Sequence, residues 1–127
     1  MSNSFNINID ERNKTAKMWL FCAINALTVA GIFSLVIVSA RTPLVKDLLP
    51  FVQLFQKALI IHVNASQLFW MLAIHMCLLV SFIGSKIYSK TNVYLAIAAA
   101  ILMASAPFLP NAEPYLNNYI PFIDHLI

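Results

Sequence analysis

The chain has 127 residues, 61% of them hydrophobic and 10% charged, with a formal net charge of +3 and a mean hydropathy of +0.79; soluble domains carry about 25% charged residues, so this is the composition of a membrane protein. With only two glycines, Gly31 and Gly84, it holds no glycine-rich phosphate loop or dinucleotide fingerprint. The basic excess sits beside apolar runs, where lysine and arginine record topology, which argues against a nucleic-acid partner.

Residues 1–17 are polar, lack an apolar signal core, and read as an exposed arm. The run 18–40 holds no charge and is long enough, at 1.5 Å per residue, to cross a hydrocarbon layer about 30 Å thick. Its "VSA" at 38–40 faintly resembles a cleavage site, but the run is too long for a signal core, so a retained span is expected. Residues 41–53 form a loop. The second span, 54–83, carries one formal charge, Lys57, near its start, where the side chain can snorkel to the interface. Residues 84–91 form the next loop, and a shorter, alanine-rich span follows at 92–108. The proline-rich tail, 109–127, offers Tyr115, Tyr119 and Phe122 to an interface. The fold class is therefore an all-α membrane protein with three transmembrane helices.

Five of the eight basic residues, Arg12, Lys14, Lys17, Lys86 and Lys90, fall on one side of this topology, and Arg41, Lys46 and Lys57 on the other. The positive-inside tendency makes the N-terminus and the second loop cytoplasmic and the tail outer, that is periplasmic, in a bacterial inner membrane. Cys22 and Cys77 lie in apolar runs and behave as small hydrophobes rather than as a disulfide or metal pair. Small residues recur every four positions, at Ala26, Ala30 and Ser34 and again at Ala96, Ala100 and Ala104, spacings that let helix backbones approach closely. Three spans offer little interior for Asn25, His62, Asn64, Ser66 and His75, so further helices or copies of this chain are expected around them.

The second span raises the question of chemistry. His62 and His75 are thirteen residues apart, about 20 Å along an ideal helix and about 220° around it, so they cannot share a metal or flank one heme. Ser66 and Phe69 fall one and two turns below His62 on its face. His75 shares its face with Leu68, Met71 and Leu79 and reads as a packed structural histidine. For His62 a heme or metal ligand, a satisfied interhelical hydrogen bond and a proton relay all remain open. No His-x-x-x-His, Cys-x-x-Cys or His-Glu-x-x-His spacing occurs, and the five carboxylates lie outside the spans. No independent catalytic centre is readable.

The stretch "ARTPLVKDLLPFVQLFQKALIIHVNASQLFWMLAI" resembles the opening of heme–copper terminal oxidase subunit I, in particular bacterial cytochrome c oxidase subunit I-like proteins. In these an outer "RTP…LLP" loop leads into a span opening "ALxxHV", followed by Ser and Trp; His62, Val63, Ser66 and Trp70 match. "YLNNYIPFIDH", 115–125, is similar to the outer segment before their fourth span. The resemblance covers nearly all of the chain after Met18, but only the first helices of a much longer subunit. It implies that His62 is an axial ligand of a low-spin heme iron, with Ser66 and Phe69 beside it, in an electron-transport protein of the respiratory chain. The other heme and copper ligands belong to later helices, so the partners implied are the lipid bilayer and the remaining oxidase helices, on another chain or further subunits. The chain alone would not reduce oxygen. The alternatives are a non-enzymatic three-span interaction or assembly protein, with a homo-oligomer as one form of it, and a remnant of a decayed oxidase gene. Proton translocation is disfavoured by the lack of an intramembrane carboxylate.

Overall fold

The computed structural model describes residues 9–43, 45, 52–83, 90–109, 113–115 and 122–124. Lys46, Lys86, Tyr119 and His125 lie outside the described residues, as does most of both loops and of the tail.

Helix α1 runs over Ile9–Arg41, with Asp10 and Glu11 in its first turn and Arg41 in its last, charges that complement the helix dipole at both ends. The polar residues 9–17, expected as an arm, thus continue the first span as helix. The second rod is α2, Val52–Val63, a π-helical segment, Asn64–Phe69, and α3, Trp70–Ile83, in unbroken succession. Helix α4, Lys90–Ser105, follows and ends in a 3-10 turn at Ala106–Phe108, where Pro107 removes a donor. Three helical rods, Ile9–Arg41, Leu54–Ile83 and Lys90–Phe108, are long and apolar enough to cross a membrane, as in a multi-pass membrane protein.

The rods run up, down and up. At one end Lys90 Nζ lies 4.0 Å from Glu11 Oε1, which joins the starts of α4 and α1. At the other, the Arg41 guanidinium stands 4.7 Å over the Phe55 ring, joining the end of α1 to the start of α2. α1 packs along the whole second rod and only lightly against α4. Its buried stripe is Thr15, Trp19, Cys22, Ala23, Ala26 and Ala30, spaced by three or four residues so that one helical face meets the neighbour. The alanines at 26 and 30 do make the close approach their spacing suggests, with His62 reaching the Ala30 carbonyl; nearer the start of α1, Trp19, Cys22 and Ala23 cluster with Ala73 and Val80 of the second rod. Leu20, Phe21, Ile24, Leu27, Ile32 and Leu35 of α1 remain exposed, the apolar surface that lipid would cover.

The all-α fold class holds for the three rods, and the tail adds one small feature. Glu113–Tyr115 (β1) and Phe122–Asp124 (β2) pair antiparallel, with Glu113 opposite Asp124 and Tyr115 opposite Phe122. Pro114 lacks an N–H and is tolerated because a two-stranded pair leaves each strand a free edge.

Candidate functional site

His62 stands near the end of α2, seven residues or about 10 Å along the rod from Phe55. Its Nδ1 lies 2.8 Å from the carbonyl oxygen of Ala30, across the interface with α1. A carbonyl only accepts, so Nδ1 is the donor, which in the neutral tautomer leaves the lone pair on Nε2. The close approach that makes this bond possible comes from Ala30, only 3% exposed and too small to hold the helices apart. The acceptor for His62 is thus the backbone of α1, a partner that carries no side-chain signature in the sequence.

Immediately beyond His62 the helix widens to the i to i+5 pattern over Asn64–Phe69, where the Trp70 N–H donates to the Ala65 carbonyl. Such a segment inserts one residue, turning everything after it by about 100° relative to an uninterrupted helix. Ser66 Oγ donates to the His62 carbonyl at 2.7 Å, at the place where the i to i+4 ladder gives way. Ser66 is therefore beside His62, but through the backbone. Phe69 turns away from the expected common face: it packs against the core cluster of Trp19, Cys22 and Ala73 and lines a cleft that His62 does not line.

The same insertion brings the His62 to His75 phase from about 220° to about 120°. His75 is exposed on α3, where Nδ1 donates to the Met71 carbonyl of its own helix at 2.7 Å. It is a locally satisfied histidine on the outer surface, not a packed one. The other intramembrane polar side chains solve their problem likewise: Asn25 Nδ2 donates to Phe21 O, Thr28 Oγ1 to Ile24 O and Ser81 Oγ to Cys77 O, each four residues back. Cys77 Sγ is the exception, donating to the Ala16 carbonyl of α1 at 3.3 Å. Among the described residues, no three His, Cys, Asp or Glu side chains gather in a metal-holding group.

The cleft has a volume of ≈ 320 Å³ and is walled by α1 (Phe21, Ala26, Val29), the π segment (Asn64, Ala65, Phe69) and α4 (Ala100, Ile101, Ala104). Of the alanine stripe of the third span, Ala96 packs against the cluster that holds Trp19 and Ala23, whereas Ala100 and Ala104 face this space.

No family model matches the chain, and no solved structure does. It is similar to an uncharacterized protein of Rickettsia prowazekii (strain Madrid E), 26% identical over 146 aligned positions that cover 94% of this chain and 28% of that protein. The chain therefore spans little more than a quarter of the length of the relative it matches.

Proposed function

We propose that the chain is the opening helical segment of a heme–copper oxidase subunit I-like respiratory membrane protein, in which His62 binds a low-spin heme iron through Nε2. The observation that carries this reading is the bond from His62 Nδ1 to the Ala30 carbonyl. A ligating histidine characteristically donates its other ring N–H to a carbonyl or carboxylate, which fixes the tautomer and raises the basicity of the ligating nitrogen. His62 meets that requirement with no rearrangement. The π segment directly after it adds support, because such insertions recur at functional sites.

A heme held at this position supplies one-electron transfer. This chain's residues contribute the ligand (His62), the acceptor that orients it (the Ala30 carbonyl) and a hydroxyl on the ligand's own carbonyl (Ser66). The second axial ligand and any copper-binding histidines would come from further helices, on another chain or further subunits, in a bacterial inner membrane. Oxygen reduction would be a property of that assembly. The greater length of the Rickettsia relative suits a segment of this kind.

A second reading, a non-enzymatic three-span docking protein, is favoured by the open cleft between all three rods. The test is to co-express the chain with candidate partner helices, purify the membrane fraction and record the reduced-minus-oxidized heme spectrum. The heme reading expects a bis-histidine spectrum that is lost in His62→Ala and kept in His75→Ala. Assembly that proceeds without heme, or a spectrum indifferent to His62→Ala, refutes it in favour of docking.

A further inference from the structure

We propose that Arg12 anchors a binding site for the phosphate of an anionic phospholipid, at the end of the bundle where α1 and α4 begin and α3 finishes. Arg12 extends the buried stripe of α1 outward: it stands three and seven residues before Thr15 and Trp19, on the same face. Its side chain is laid down among neighbours so that Nε is buried, and among the described residues that nitrogen has no hydrogen-bond partner. A guanidinium cannot neutralise itself by losing a proton, so a partly desolvated one calls for an anion.

Neither Asp10 nor Glu11 meets that nitrogen. Glu11 lies 4.0 Å from Lys90 Nζ, and Asp10 also has a partner. Lys14 and Lys17 are exposed on the same end of α1 and raise the positive potential there. Arg12 stands six residues, about 9 Å, outside Met18, where the apolar run begins, which is the depth of lipid headgroups. The planar fork of arginine matches two phosphate oxygens, and basic pockets between membrane helices take anionic headgroups. What favours a phospholipid over free phosphate is the adjoining surface: Leu20 and Leu27 present exposed apolar side chains about two and four turns deeper on α1, within about 80° of Arg12 around the helix, along which an acyl chain can lie. The proposal is independent of any role of His62.

The full chain in detergent is titrated with phosphatidylglycerol, phosphatidylcholine or inorganic phosphate, and bound lipid is counted by native mass spectrometry. Phosphatidylglycerol should bind more tightly than phosphatidylcholine, and Arg12→Gln should weaken it about fivefold, the share of one basic residue at a membrane surface. Arg41→Gln, at the opposite end, should leave it unchanged. Equal binding of the two lipids by the wild-type chain overturns the proposal even if Arg12→Gln does not fold. So does unchanged phosphatidylglycerol binding in Arg12→Gln, or displacement of the lipid by millimolar inorganic phosphate.

Discussion

Two alanine-to-leucine substitutions separate the packed face of α1 from the open face of α4. Ala23 is 1% exposed within the cluster formed with Trp19, Cys22, Ala73, Val80 and Val93. Three added carbons have no void to enter there, and overpacking of a filled interface costs about 1–3 kcal/mol. Ala100 lines the ≈ 320 Å³ cleft, where the same three carbons find room and gain only scattered dispersion contacts of about 0.1–0.2 kcal/mol each. Equilibrium unfolding of the isolated chain in mixed detergent should therefore show Ala23→Leu destabilised by about 1–3 kcal/mol and Ala100→Leu within about 0.5 kcal/mol of wild type. Equal penalties at the two sites would mean that the cleft is closed in the folded chain. A neutral Ala23→Leu would mean that α1 and α3 do not touch as described.

Two further substitutions address individual contacts. Trp19 is 4% exposed with an indole N–H that has no acceptor among the described residues; an unmet buried donor costs about 1–3 kcal/mol, so Trp19→Phe should lose less than about 1 kcal/mol, whereas Trp19→Ala, which empties the ring's volume, should lose about 3–5 kcal/mol in the same unfolding assay. Arg41→Gln removes the cation from the Phe55 ring and should lower stability by about 0.5–1 kcal/mol, with no added effect in an Arg41→Gln, Phe55→Leu double mutant beyond that of Phe55→Leu.

What could be read from the residue order was what depends on composition and simple period. The three spans follow from apolar length, and the approach of α1 to the second rod follows from Ala26 and Ala30 at a four-residue spacing. The second rod departs from the simple period for two reasons. Assigning Phe69 to the face of His62 assumed 100° per residue throughout, and the π segment at Asn64–Phe69 inserts a residue; reading His75 as packed rested on Leu68, Met71 and Leu79, apolar neighbours that are themselves exposed. No residue type announces a π segment, because it is a choice among backbone hydrogen bonds. The acceptor for His62 was hidden for a related reason: it is the main-chain oxygen of an alanine, and every residue offers one. The β1–β2 pair was missed because Pro114 argues against strand in a sequence and is harmless on a two-stranded edge.

In lipid, apolar side chains gain nothing by leaving the solvent, so helices associate through close packing and interhelical hydrogen bonds. Among the described residues, the side-chain bonds from His62 to Ala30 and from Cys77 to Ala16 start on the second rod and end on carbonyls of α1. Those carbonyls are fourteen residues, about 21 Å, apart, so the two rods are pinned in rotation and in register at two depths. α4 is held near its start, where Val93 is fully buried in the cluster with Trp19, Ala23 and Val80, and Ala96 packs against it. Further along, Ala100 and Ala104 border the cleft. The His62 bond thus belongs to the first two rods, while the far half of α4 faces open space where its alanines leave room for a further occupant.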